Sequence, residues 1–342
     1  MRRLLLVVPV LLAACDSSPT VPAPPTSTGL LQASVNSTVA CQPTAFFGLT
    51  AALINPPSSV SGPVNAAGCD IGVYYDANGA GGTVKGAEIS NARYYGVIVY
   101  GDLGPVAVDV INSSIHDIGD SPLNGVQRGV GIYYRAYLLG GGATGKISGN
   151  TLTNYQKGGI VVNGSGSNVD VSGNTVTGQG PVDYIAQNGI QFGYGSSGSA
   201  MKNTVTGNQY TGSSTVSGGI IVVGGPYYGT CPDGPCLYTT GIQIVQNTVT
   251  NNDVGVWLTN IDEVGNSPLV ATNVKAVNNT ISNSAITNGY CYQAGVADQG
   301  NNDKIINNLI SGLGYGPSST CYAVHIDADA SFTNRPKVHA NK

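Results

Sequence analysis

Val171-Ser-Gly-Asn174-Thr-Val-Thr177, with Gly189-Ile-Gln-Phe192 behind it, repeats the pattern of Ile147-Ser-Gly-Asn150-Thr-Leu-Thr153 and Gly159-Ile-Val-Val162 one unit earlier. Each copy is a short strand, an Asn-Thr phrase, a variable polar stretch, and a glycine step into another apolar run. Further copies centre on Asn203, Asn247, Asn279 and Asn308, and two degenerate ones carry Ala87 and Ser113 at the asparagine position. Successive intervals are 26, 37, 24, 29, 44, 32 and 29 residues, so the shortest define the bare unit.

Such a unit holds short strands of period two between Gly and Asn turns, and it cannot bury its apolar side alone. Stacking in register gives an all-β right-handed parallel β-helix of about eight or more coils. Alternate residues such as Ile160 with Val162, and Val256 with Leu258, then fill a narrow core. Asparagines stacked at one corner hydrogen-bond the equivalent residue one coil along, and Asn also tolerates left-handed backbone. A β-propeller needs blades of regular period, and these intervals vary too widely for one.

The Gly-Asn-Thr-Val-Thr and Gly-Ile-x-Val phrases resemble those of the pectate-lyase-like right-handed β-helix superfamily over roughly residues 70 to 330. The resemblance implies a coil and no single chemistry, since that superfamily includes lyases, hydrolases, epimerases and adhesive proteins. Asn-Thr-Asp, Asp-Asp, Gly-His-Gly and Arg-Ile-Lys phrases of polygalacturonase type are absent, as is the Asp-Pro-His of alginate epimerases. Arg335-Pro336 is only faintly similar to a pectate-lyase arginine motif and takes no role from it.

At the N-terminus, Met1-Arg2-Arg3 and the short apolar run Leu4 to Leu12 read as an export signal. The run closes on Leu12-Ala13-Ala14-Cys15, which resembles the lipobox of bacterial lipoproteins and implies acylation of Cys15. The expected organisation is a signal peptide over 1–14, a Ser/Thr/Pro-rich tether over 15–28, the β-helix with its N-terminal cap over 29–334, and a tail over 335–342. The protein is therefore expected in the cell envelope, held to a membrane by its lipid.

Composition agrees with a nearly all-β, exported chain. Charged residues are 9% against the roughly 25% of soluble domains, and Gly accounts for 49 of 342 residues. A net charge of −4 without a basic stretch excludes an electrostatic footprint for nucleic acid. Setting Cys15 aside, six cysteines remain, and sequence-near pairing joins Cys41 to Cys69, Cys231 to Cys236 and Cys291 to Cys321, one of fifteen connectivities. Gly193-Tyr-Gly195-Ser-Ser-Gly198 matches a dinucleotide fingerprint formally, but a strand follows where a helix is required. No cofactor or metal site is evident, although scattered aspartates leave room for Ca2+.

Insertions in such a rod build its functional surfaces, so the longest intervals draw attention. The interval of 37 holds His116, Asp117 and Asp120, then Gln127, Arg128 and Arg135. With Lys157 and Asp183, these are the catalytic candidates. β-Elimination of a uronate needs a base and a carboxylate-neutralising cation, whereas glycoside hydrolysis needs two opposed carboxylates.

Aligning the glycine steps puts Tyr94, Gln127, Lys157, Gln187, Ser217, Asp253, Gln293 and Cys321 in one column. The outward strand position then reads Ile98, Gly131, Val161, Gln191, Ile221, Trp257, Ala297 and His325. On this reading Gln191, Trp257 and His325 line one outer face, where aromatic stacking and polar side chains suit a sugar. Gln127, Gln187, Asn188 and Asp253 complete the binding candidates. The expectation is a lipoprotein that binds, and as an enzyme would cleave, an extracellular polysaccharide; the alternative is a noncatalytic structural or adhesive module.

Overall fold

The computed structural model describes residues 40–328 and 337–342. Signal peptide, tether, Cys15 and the Arg335-Pro336 pair lie outside the described residues. Within them the chain winds as a parallel β-helix with three strands per full coil. One coil runs Gly142–Ser148, Thr151–Tyr155 and Gly158–Asn163; the next runs Ser167–Ser172, Thr175–Val182 and Asn188–Gly193. The third strands form an eleven-stranded sheet in which only Gln42–Pro43, at the N-terminal edge, is antiparallel to its neighbour. First and second strands together form a seventeen-stranded sheet.

Register stacks like residues on like. Ile147, Val171, Ala200, Ile244, Ala276 and Ile305 form one buried column of the first strand, and Leu152, Val176, Val205, Val249, Ile281 and Ile310 one of the second. The third strand adds Ile160 with Val162 and Val256 with Leu258, as the alternation predicts.

Two ladders specify the coil. Asn150, Asn174, Asn203, Asn247, Asn279 and Asn308 each donate a side-chain N–H to the next asparagine's Oδ1 at 2.9–3.0 Å, ending on Asn341. Each also donates to a carbonyl of an earlier strand, so the buried amides are satisfied. The left-handed residue, however, is the one before each ladder asparagine: Gly149, Gly173, Lys202, Gln246, Asn278 and Asn307 all have φ between 55° and 66°. This explains the Ser-Gly-Asn wording of the two clearest repeats.

The second ladder is the glycine step. A Cβ on Gly131, Gly159, Gly189, Gly219 or Gly255 would lie 2.6–2.7 Å from the backbone oxygen of the matching glycine one coil on, and a Cβ on Gly295 would lie 2.6 Å from that of His325. Only a residue without a side chain permits that approach.

Register corrects two expected alignments. Gly159 pairs off against Gly131, so Gly129 and not Gln127 precedes the step, and Tyr133 takes the outward place assigned to Gly131. The doublet Gly129-Val-Gly131 offers two glycines, and only the second sends Ile132 and Tyr134 into the core. In the last coil Val296 pairs with Ile326 and Ala297 with Asp327, so His325 stands opposite Gly295 and Asp327 holds the outward position. A side chain is tolerated there because this strand is the last of its sheet among the described residues.

Three disulfides join Cys41 to Cys69, Cys231 to Cys236 and Cys291 to Cys321, the sequence-near pairing. The stretch expected to be a C-terminal tail contains a strand, Lys337–His339, parallel to Lys304–Ile306. Among the described residues no helix is long and apolar enough to cross a membrane.

Candidate functional site

His116 lies on the strand Ser114–Ile118, whose alternation buries Ile115 and Ile118 and turns His116 outward. Asp117 follows in left-handed backbone, φ 57°, which swings its carboxylate back onto the ring. His116 Nδ1 is 2.6 Å from Asp117 Oδ2, and Nε2 is 3.3 Å from Glu88 Oε1 on the preceding coil. The row continues along the rod: Asn154 donates to Asp117 Oδ1, Gln179 donates to Asn154 Oδ1, and the Tyr184 hydroxyl donates to Gln179 Oε1 at 2.9 Å. Asp183, exposed, stands beside Tyr184. Partial burial alone would raise the Asp117 carboxyl, but hydrogen bonds from His116 and Asn154 and the His116 charge hold it below its ordinary value. An aspartate fixed on Nδ1 orients the imidazole, whose Nε2 then faces Glu88 on the preceding coil.

The other catalytic candidates do not join this row. Arg128 grips Asp120 with Nε at 3.1 and 3.0 Å and Nη2 at 2.8 Å, while Nη1 donates to the Tyr94 hydroxyl at 3.0 Å. Arg93 Nε adds a contact of 3.1 Å. Burial would raise the Asp120 carboxyl, yet the bonds from Arg128, Asn124 and Arg93 and the Arg128 charge lower it. Asp120 is thus the anion that pins the 119–129 loop. Arg135 is buried, donating to Asp102 Oδ2 at 2.9 Å and lying over the Tyr137 ring. Lys157 is buried too, its Nζ donating to the Ala186 carbonyl at 2.7 Å. The expected base and cation of an elimination site are therefore not presented together.

Most binding candidates are also interior. Gln187, Asn188, Gln191, Asp253 and Trp257 are all buried, and only Gln127 and His325 are exposed. Gln191 donates to Asn163 Oδ1 and Trp257 Nε1 to Gln299 Oε1, so the polar atoms of the expected sugar ladder are spent internally. The reason is the composition of the outward column itself: Tyr74, Ile98, Tyr133, Val161, Ile221 and Ala297 are in register and buried, making a second apolar layer. Asp253 acts as a staple. Its Oδ2 accepts the Tyr210 and Ser217 N–H groups, each at 2.9 Å, and Asn288 Nδ2 at 3.0 Å, closing two inserted loops. Burial pushes its carboxyl up to about 7 against the pull of those three donors.

Sequence reasoning missed Glu88, Asn154, Gln179 and Tyr184. Asn154 was within reach, since it follows Thr153 as Asp117 follows His116 in paired strands. It also missed an aromatic pair at the C-terminal end, where Tyr292 and Tyr322 stack at 5.6 Å with their hydroxyls on Asp327 at 2.8 and 3.1 Å. Beside them a cleft of about 700 Å³ is lined by Ile310, Tyr315, Tyr322, His325 and Ile326 among others. Among the described residues no three His, Cys, Asp or Glu converge as metal ligands.

Comparison with known proteins returns one family model, described as the right handed beta helix region, over residues 64–225 and again over 136–267. No curated protein matches significantly. Solved structures similar to the chain include the A-module of mannuronan C-5 epimerase AlgE6 from Azotobacter vinelandii, at 14% identity over 83% of this chain and 87% of that one, TM-score 0.34. The A-module of the AlgE4 epimerase from the same organism shows 15% identity over 80% and 90%, TM-score 0.28. The glycine and asparagine ladders run through the matched segment, and the chain belongs to the right-handed β-helix family.

Proposed function

We propose that this protein is an exported, lipid-anchored component of a bacterial cell envelope that binds an extracellular polysaccharide along the row from Glu88 through His116, Asp117, Asn154 and Gln179 to Tyr184. The single observation behind this is the row itself: acceptors and donors alternate across four successive coils, on the outside of the rod, in a chain otherwise poor in charge. Coils advance by about 4.8 Å, so an extended hydroxyl-rich polymer lying along the axis meets a fresh polar side chain at each step. Three disulfides fit an oxidising compartment, and the Leu12-Ala13-Ala14-Cys15 signal supplies the anchor.

Binding without turnover is the primary reading, because Arg128 is occupied by Asp120 and the Lys157 and Arg135 side chains are buried. A catalytic reading has one observation in its favour, the 2.6 Å contact of His116 Nδ1 with Asp117. Both are tested with the full chain carrying Cys15→Ser, screened on a glycan array, with ultraviolet absorbance and reducing ends followed on any ligand found. Binding lost in Asp117→Asn and Gln179→Ala with no new ends supports the adhesive module. New ends that vanish in His116→Ala establish an enzyme, and no glycan binding at all ends the proposal.

A further inference from the structure

The Asn-Thr-Val-Thr phrase leaves a feature that neither core nor polar row uses. Its two threonines point outward from the second strand of each coil. Thr151, Thr175, Thr204, Thr248 and Thr280 fall in one rank, and Thr153, Thr177, Thr206, Thr250 and Ser282 in a second, every neighbour paired in register. The first rank is exposed and the second half-exposed. No charged or aromatic side chain interrupts either rank. The array ends on Ser114 and His116 at one side and on Leu309 and Ser311 at the other.

Strand preference alone does not account for this uniformity, although threonine suits strands. In the same coils the first strand has an outward column of Lys146, Asp170, Ser199, Gln243 and Lys275, equally in register and chemically mixed. Nor does chain length: in these coils the corner between first and second strands is two residues, as in Gly149-Asn150 and Gln246-Asn247. Every insertion, including 225–242, 261–274 and 283–291, leaves from another corner. The array is thus kept clear and regular while the rest of the coil varies.

Spacing gives the array its meaning. Neighbouring coils lie about 4.8 Å apart and alternate residues along a strand about 6.6 Å apart, so the hydroxyls and methyls form a two-dimensional lattice. Each threonine is stiff at χ1, and Thr250 Oγ1 donates to Thr206 Oγ1 at 2.9 Å, which further limits rotation. Oxygen rows in hexagonal ice repeat at an interval close to the coil spacing, and the two ranks stand somewhat closer together than the wider ice repeat. Charge complementarity points the same way, because an uncharged face offering donors and acceptors equally fits an uncharged solid that does the same, and it lacks the aromatic platforms that crystalline sugars favour. We propose that this threonine face binds ice, anchoring ordered water in the troughs between its ranks.

The test uses the full chain with Cys15→Ser, measuring its partition into slowly growing ice and the concentration that halts ice recrystallisation. Thr204→Tyr and Thr248→Tyr, made separately at the centre of the array, are each expected to raise that concentration at least tenfold with unchanged circular dichroism. Ser199→Tyr, on the neighbouring strand, is expected to leave it unchanged. Exclusion of the parent protein from ice, activity surviving both threonine changes, or binding to crystalline cellulose in place of ice would each overturn the proposal.

Discussion

Asn174 donates its side-chain N–H to Asn203 Oδ1 at 2.9 Å, and the same oxygen accepts the Asn174 backbone N–H at 3.0 Å. One buried atom therefore satisfies two donors of the coil before it, while Asn203 Nδ2 serves the Val171 carbonyl and Asn247. Asn203→Ala strands both Asn174 donors and the Val171 carbonyl in a dry interior. The expected loss is about 3 kcal/mol or more by urea unfolding. Asn308→Ala is expected to cost less, since its own partner Asn341 is only partly buried at the end of the ladder.

The glycines divide into two kinds that a single substitution separates. Gly219→Ala places a Cβ 2.6 Å from the Gly255 carbonyl and 2.7 Å from Val249 Cγ1, and the carbonyl cannot retreat without parting two coils. Gly86→Ala meets nothing within 4 Å and suffers only from its φ of 64°. The second is expected to cost about 1–2 kcal/mol, and the first about 3 kcal/mol or more, with loss of soluble protein. Equal melting temperatures for the two variants would contradict the close-approach account.

Arg128 and Asp120 should behave as a structural clamp. Arg128→Lys keeps the charge but loses the two-pronged grip and the Tyr94 contact, so a drop of about 1–2 kcal/mol in stability is expected. Glycan binding along the Glu88 to Tyr184 row should be retained, because neither residue touches it. Loss of binding with unchanged stability would return Arg128 to the functional site.

How far the fold was legible follows from these residues. Asparagine and glycine are each demanded by one geometry, so their recurrence betrays the coil even where intervals range from 24 to 44 residues. Period two also says on which side of a strand Gln191 or Trp257 lies. It cannot say whether that side faces water, and here the outward column is itself apolar and buried. The register of Gln127 and His325 failed for a related reason: the first sits beside two competing glycines, and the second lies in a coil whose step position carries no glycine. The His116–Asp117 contact was partly legible as adjacent chemistry, but Asn154 and Gln179 join it only through stacking of coils 37 and 25 residues apart in sequence, and Tyr184 joins through Gln179.

Asp253 gives the clearest pH dependence. Its folded carboxyl titrates at about 7, raised by burial from an ordinary 3.8, so the folded protein retains a proton that the unfolded chain has released. Stability from this group is full below about pH 4, declines as the pH rises, and is gone once the pH passes about 7. Asp253→Asn removes the titration while its Oδ1 can still accept the Tyr210, Ser217 and Asn288 donors. Any cost of placing Nδ2 where Asp253 Oδ1 has no donor is the same at every pH. The stability of the variant relative to the parent should therefore rise between pH 4 and pH 8, by up to about 4 kcal/mol for a shift of about three units. Thermal melts of both proteins across that range measure the difference directly. Parallel curves would show that the carboxyl titrates normally and that the two loops it closes are not held by a protonated staple.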